Sequence, residues 1–324
     1  MEVKMKISRI LVPTDFSENS EVALKTAANF VDTFGSTVDL IHVVPVMRYF
    51  HESMEALGAP FSIENKLYPH TLEVAHAKME ALATKYIPKE HRGRLLTVID
   101  RKPSEAIARQ TEEDDYDLVI IAGRGEHSSP HILGGTTEKV IRFSKVPVFR
   151  VNDSFDFTGT SNIVVPLDFS ETSYSSIIPA FEVARVLKAD LSIVHVIELY
   201  ASDSYMIPYV PAGVDNQPVY ESLIQNLDQY LKDHNRLLSI KRTGTVFKDA
   251  LILNEGANQT LISMETTILK GITVYQEIVD HMNEHGDLLV MSTHGRTGAA
   301  RFLLGSTAER LSKSIEKPVW FTKK

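Results

Sequence analysis

The segment Ser292-Thr293-His294-Gly295-Arg296-Thr297-Gly298 follows an apolar run, Leu288-Leu289-Val290-Met291, and precedes Gly305-Ser306-Thr307-Ala308-Glu309-Arg310. Glycine permits positive φ and close backbone approach. A helix starting near Gly305 offers unpaired N–H groups and the positive end of its dipole. Strand, glycine loop and helix start in that order describe a cradle for phosphate. Arg296 and Arg301 beside the loop add cations suited to a polyphosphate. Ser306 and Glu309 also have the spacing of a capping box, a reading in which the serine serves only the helix.

A second version of this arrangement occurs earlier in the chain. Leu118 to Ala122 runs into Gly123-Arg124-Gly125-Glu126-His127-Ser128-Ser129-Pro130-His131, and Gly135-Thr136 follows. Here Glu126 puts a carboxylate next to the cradle glycine, where it would repel phosphate if it pointed inward. The later loop is therefore the better phosphate site.

The recurrence extends beyond the loops. Ile10-Leu11-Val12-Pro13-Thr14-Asp15-Phe16-Ser17-Glu18 returns as Ile163-Val164-Val165-Pro166-Leu167-Asp168-Phe169-Ser170-Glu171. Leu40-Ile41-His42-Val43-Val44 returns as Ile193-Val194-His195-Val196-Ile197, and both blocks keep an offset of 153 positions. The chain is a tandem duplication. The expected domains are 1–152 and 160–324, joined by a polar, aperiodic linker over Asn152–Ser161. The second copy carries extra residues, and Lys241 to Gln259, which has no counterpart, is the candidate insertion.

Short apolar runs alternate with helical spacing in each copy. In the first, strands are expected at Ile7–Val12, Thr37–Val44, Leu95–Ile99, Leu118–Ala122 and Val146–Val151. Helices are expected after Ser17 and at Thr71–Tyr86, Ser104–Thr111 and Thr136–Phe143. Uninterrupted apolar strands separated by helices imply an α/β fold, here two tandem doubly wound, Rossmann-like domains, each with a mainly parallel five-stranded sheet. Ligands of such sheets bind at strand carboxyl ends, where the strand order switches. Asp15, Val43 and the Gly125 loop all fall there.

The charge of −8 gives no reason to expect nucleic acid or anionic membrane as a partner. Cysteine is absent, which excludes disulfides, thiolate metal sites and cysteine nucleophiles. No apolar run approaches the length of a membrane span, and the first residues do not resemble a signal peptide, so a soluble cytoplasmic protein is expected.

The two copies resemble the universal stress proteins in their tandem form. The shared features are Pro-Thr-Asp-Phe-Ser and Pro-Leu-Asp-Phe-Ser, the His-Val pairs, and glycine loops in which Gly295 and Gly125 each stand nine residues before Gly305-Ser306 and Gly135-Thr136. The family's nucleotide-binding members carry a further glycine ahead of the loop; its place is taken here by Ser292 and Ala122. The resemblance implies an adenine nucleotide, ATP or AMP, with Mg²⁺ accompanying ATP. In the second copy it implies Asp168 beside the nucleoside, the Val196 backbone at the adenine edge, and phosphates on Ser292, Gly295, Arg296, Gly298, Gly305, Ser306 and Thr307. The corresponding weaker site in the first copy comprises Asp15, Val43, Ala122, Gly125, Gly135 and Thr136. It also implies pairing through the last strands, as an intramolecular pseudo-dimer and in a further homodimer.

Each residue has a plainer reading. Asp15 and Asp168 could order a turn and cap a helix; His42 and His195 read as core histidines rather than ligands. The acidic run Glu112-Glu113-Asp114-Asp115 reads as a solvated helix end, and Tyr200 to Tyr209 as loop packing or as cover for a base. No Gly-Lys-Ser/Thr phosphate loop, His-Glu-x-x-His motif or nucleophile elbow is present. Three readings stand: a nucleotide-dependent regulatory or interaction module, at most a slow ATPase; an interaction scaffold without nucleotide; and an adenine-nucleotide-dependent enzyme, which the lack of a His-x-Gly-His motif disfavours.

Overall fold

A computed structural model describes residues 6–45, 63–124, 133–199, 215–256, 258–293 and 304–323. The chain divides into two compact units, Lys6–Asp156 and one that contains Phe157–Lys324.

In the first unit the described elements run β1 (Arg9–Pro13), α1 (Glu18–Phe34), β2 (Thr37–Pro45), α2 (Ile63–Tyr86), β3 (Arg92–Asp100), α3 (Pro103–Glu113), β4 (Leu118–Ala122), α4 (Gly135–Phe143) and β5 (Val148–Val151). All pairings are parallel, in the order β3-β2-β1-β4-β5. The order reverses between β1 and β4, which opens a crevice at their carboxyl ends. Ile10, Leu11, Val12 and Leu118 to Ile120 are essentially inaccessible, as expected of strands covered by helices on both faces. Helix α2 starts at Ile63, ahead of the expected Thr71, and runs through Pro69.

The second unit repeats this plan with β6 (Asn162–Pro166), α5 (Glu171–Tyr174), α6 (Ile177–Leu187), β7 (Asp190–Glu198), α7 (Gln217–His234), β8 (Leu238–Thr245), β9 (Lys248–Glu255), β10 (Asn258–Gly271), α8 (Val274–His285), β11 (Leu288–Ser292), α9 (Ser306–Ser314) and β12 (Val319–Thr322). Strands β12-β11-β6-β7-β10 are parallel, and the reversal falls between β6 and β11. The single helix α1 is here divided into α5 and α6. Pro179, in the first turn of α6, has no N–H to give the carbonyl of Ser175, which removes a bond that would join the two segments.

The extra residues of the second copy form strands. β9 pairs antiparallel with both β10 and β8, extending the sheet by a hairpin. The hairpin is fastened by Asp249, which is buried, accepts a hydrogen bond from the Tyr220 hydroxyl (2.6 Å) and pairs with Arg242 Nε (3.1 Å). Burial and this carboxylate push the Tyr220 hydroxyl up to about 12.

The first unit has a comparable buried carboxylate. Asp39 on β2 accepts from Arg9 (2.6 Å), Arg94 Nε (3.1 Å), the Arg94 backbone N–H (2.9 Å) and the Tyr116 hydroxyl (2.7 Å). A buried carboxylate is tolerated when it is paired and hydrogen-bonded in this way. Gly93 makes room for it, since a Cβ there would lie 1.9 Å from Asp39 Oδ1. Gly93→Ala is therefore expected to destabilise the first unit by about 1–3 kcal/mol, the usual cost of overpacking. Gly135→Ala, whose Cβ would meet nothing within 4 Å, serves as the control. Equal urea midpoints for the two variants would contradict this account.

Candidate functional site

At the end of β1 the backbone turns sharply. Thr14 N–H still bonds Ile41 O (2.9 Å), and Phe16 then takes φ +66°, a left-handed conformation rare for a bulky side chain. The second unit repeats the turn: Leu167 N–H bonds Val194 O (2.8 Å) and Phe169 has φ +67°. The Asp15 carboxylate accepts from the Ser17 N–H (3.1 Å) and hydroxyl (2.5 Å), and Asp168 does the same with Ser170 (3.0 and 2.5 Å). Ser17 and Ser170 in turn cap α1 and α5. The turn-ordering role read from the sequence is present in both copies, with the serine rather than the aspartate as the cap.

Both histidines are hydrogen-bonded within the sheet, His195 buried and His42 half-buried. His42 Nδ1 donates to Thr14 O and His195 Nδ1 to Leu167 O, each at 2.8 Å. The left-handed phenylalanines lie against them, with ring centroids 4.2 Å apart for Phe16 and His42 and 4.7 Å for Phe169 and His195. Burial lowers the His42 pKa and outweighs the Thr14 bond, which acts the other way.

Val43 and Val196 are buried one residue beyond these histidines. Pairing of β1 with β2 stops at Pro13 opposite Ile41, and that of β6 with β7 at Pro166 opposite Val194. In a parallel strand, alternate residues present N–H and C=O to the same neighbour. The polar groups of Val43 and Val196 therefore face the side where the first strand has already ended. This suits recognition of a heterocycle edge through backbone groups.

Across the crevice stand the ends of β4 and β11. Ala122 and Ser292 close these strands, and each loop returns to a helix start through one backbone bond, Gly134 N–H to Gly123 O and Gly305 N–H to Thr293 O, both 2.9 Å. Gly305 is the N-cap of α9, so Ser306 is the first helical residue and forms no capping box. A glycine cap has no side chain to accept from the first-turn N–H groups, which leaves them to donate to phosphate oxygens. The N-cap of α4 is Gly134, not Gly135. Gly134 thus takes the structural place of Gly305, and Gly135 and Thr136 those of Ser306 and Thr307. The nine-residue spacing pointed to Gly135; the bond from Glu138 N–H to Gly134 O, matching Glu309 to Gly305, places the helix start instead. The second copy keeps a hydroxyl where the first has only glycine.

The structure thus brings Asp168, Val196, Ser292, Gly305, Ser306 and Thr307 to one end of the second sheet. Asp15, Val43, Ala122, Gly135 and Thr136 are gathered likewise in the first. Gly125, Glu126, Pro130, His131, Gly295, Arg296, Gly298, Arg301 and the Tyr200–Tyr209 stretch lie outside the described residues. The acidic helix end is tied by ion pairs from Arg94 to Asp114 (2.5 Å) and from Lys145 to Glu112 (3.4 Å). Among the described residues, no cluster of three or more His, Asp or Glu could hold a metal, and no helix is long and apolar enough to cross a membrane.

The model of the universal stress protein family matches residues 6–152 and again 159–323. The chain belongs to the universal stress protein family. It is 31% identical over 152 residues to universal stress protein MJ0577 of Methanocaldococcus jannaschii, a match covering 44% of this chain and 93% of that protein. The crystal structure of a universal stress protein from Archaeoglobus fulgidus is similar over 100% of this chain and 98% of its own, at a TM-score of 0.57 and 20% identity. Another solved universal stress protein is a complex with cAMP; it is 17% identical and covers 46% of this chain and 98% of its own, at a TM-score of 0.31.

The lowered pKa of His42 has a consequence for acid stability. The unfolded histidine binds its proton near 6.5 and the folded one at lower pH. Between those values the unfolded state holds more protons, so stability falls as pH drops below about 6.5 and levels off beneath the folded pKa. His42→Gln should remove this share of the slope. The check is the urea midpoint from pH 7.5 to 5, and an unchanged slope in the variant would refute the assignment.

Proposed function

We propose that this universal stress protein binds an adenine nucleotide, ATP or AMP, chiefly in its second domain. It then acts as a nucleotide-dependent regulatory or interaction module. The observation that carries the reading is the start of α9, where Gly305 forms the N-cap and Ser306 supplies a hydroxyl. It stands across the strand-order reversal from Asp168 and the outlying backbone of Val196. Phosphates would sit on the first turn of α9 and on the Gly295 loop, the base against Val196, and Asp168 beside the ribose. Mg²⁺ would accompany ATP. The first domain would be the weaker site, because Gly135 replaces the Ser306 hydroxyl. Hydrolysis, if any, would be slow, since no described residue is placed as a base for water.

The scaffold reading without nucleotide draws on one observation: Ala122 and Ser292 stand where nucleotide-binding relatives carry glycine. Calorimetric titration of three variants with ATP and AMP separates the two. Gly305→Val should weaken binding more than about tenfold, because losing even one charge-assisted hydrogen bond costs about 1.5–3 kcal/mol. Gly135→Val, whose side chain enters open space, should leave affinity nearly unchanged. Asp168→Ala should weaken binding and cost about 1 kcal/mol of stability through the turn it orders. Loss of binding in Gly135→Val but not in Gly305→Val would reverse the choice of domain. Affinity unchanged in all three variants would overturn the nucleotide reading.

A further inference from the structure

The two sites differ in a residue supplied by the long helix after the second strand. In the first domain α2 buries Ala75, Met79 and Ala83, and the exposed Lys78 projects beside that row. Its ammonium stands 5.3 Å over the Phe16 ring, the same ring that rests on His42. This is within range of a cation–π attraction, so the lysine is held at the Asp15 turn rather than extended into solvent. Lys78 and the Asp15 carboxylate act on the His42 imidazole in opposite directions, so both charges lie close to it.

In the second domain α7 buries Leu223, Leu227 and Leu231 with the same spacing, which makes Asn226 the equivalent of Lys78. Asn226 lies beside Tyr174, whose hydroxyl burial pushes up to about 12, and Asp168 adds to that push. Tyr174 stands where the first domain has Glu21, which takes hydrogen bonds from Lys85 (2.9 Å) and Tyr86. Tyr230 stacks on Tyr174 at 6.0 Å. One site thus presents an ammonium beside its aspartate, and the other a neutral amide and aromatic rings.

We propose that Lys78 is a specificity-determining residue of the first-domain site, selecting a ligand that bears a negative charge within reach of the Asp15 turn. The second domain, with Asn226 in that place, has no ammonium at its Asp168 turn to add to the preference for a charged ligand. The inference rests on the nucleotide reading above and adds to it a division of labour. The first domain discriminates a nucleoside monophosphate from the free nucleoside by one ammonium; the second relies on the helix start and its loop. Lys78 is solvent-exposed, so its attraction is screened by salt.

The test is a domain-resolved titration of the full-length, isotopically labelled protein with adenosine and, separately, with AMP. The Val43 amide reports the first domain and the Val196 amide the second. Wild type should prefer AMP over adenosine more strongly at Val43 than Lys78→Met does, by about three- to tenfold at low salt, and the difference should shrink at high salt. Asn226→Lys should raise the preference at Val196. If Val43 responds but Lys78→Met leaves the AMP-to-adenosine ratio unchanged, the role of Lys78 is refuted while the nucleotide reading stands. If neither amide responds to either ligand in the wild-type protein, both fail together. The methionine keeps the aliphatic stem over Phe16, and the His42 ring signals verify that the turn is intact.

Discussion

The turn that leaves the first strand of each domain is the constraint on which the site depends. A phenylalanine in the left-handed region costs about 1–2 kcal/mol, and the sequence could have avoided that with glycine. Both copies keep it, at φ +66° and +67°. The cost is offset by the hydrogen bond from histidine Nδ1 to the carbonyl ahead of the aspartate, by the two hydrogen bonds that the aspartate carboxylate accepts from the serine that follows, and by the packing of the phenylalanine ring on the imidazole. Glycine would lose the last of these and loosen the rest. The aspartate is consequently held at the strand end by its serine, exposed in the first copy and half-buried in the second.

From that fixed point the rest of the site follows by topology. Reversal of strand order between β1 and β4, and between β6 and β11, leaves the turn facing a loop that leads to a helix start. The first strand ends early enough to leave the polar groups of Val43 or Val196 unclaimed by it. Backbone suited to a base, a carboxylate suited to a sugar and a helix N-terminus suited to phosphates therefore converge at one end of each sheet, and the proposed nucleotide binding rests on that convergence.

Much of this was legible in the sequence because duplication prints the same local rules twice. The buried strands, their order of occurrence and the histidine–valine pairs follow from apolar runs kept in register. Other features depend on contacts between distant residues. The helix start at Gly134 is decided by the bond from Glu138 to it, one residue before the place that motif spacing indicates. The second-copy insertion reads from the sequence only as residues without a counterpart; its β8 is largely exposed and its β9 mostly buried or half-buried, and the hairpin is fastened by Asp249 to Tyr220 on a distant helix. The left-handed phenylalanines give no local signal, since nothing in Asp-Phe-Ser requires positive φ. Lys78 was invisible for a similar reason: only the packing of α2 brings it over Phe16.

Hydrogen–deuterium exchange with and without ATP tests the central claim most directly, since the first-turn amides of α9 lack acceptors within the helix and a bound phosphate would supply them. The account predicts slowed exchange on ATP addition across Ser306 to Ala308 and around Val196, with little change across Gly135 to Thr137. Unaltered exchange at both second-domain segments under saturating ATP would contradict it.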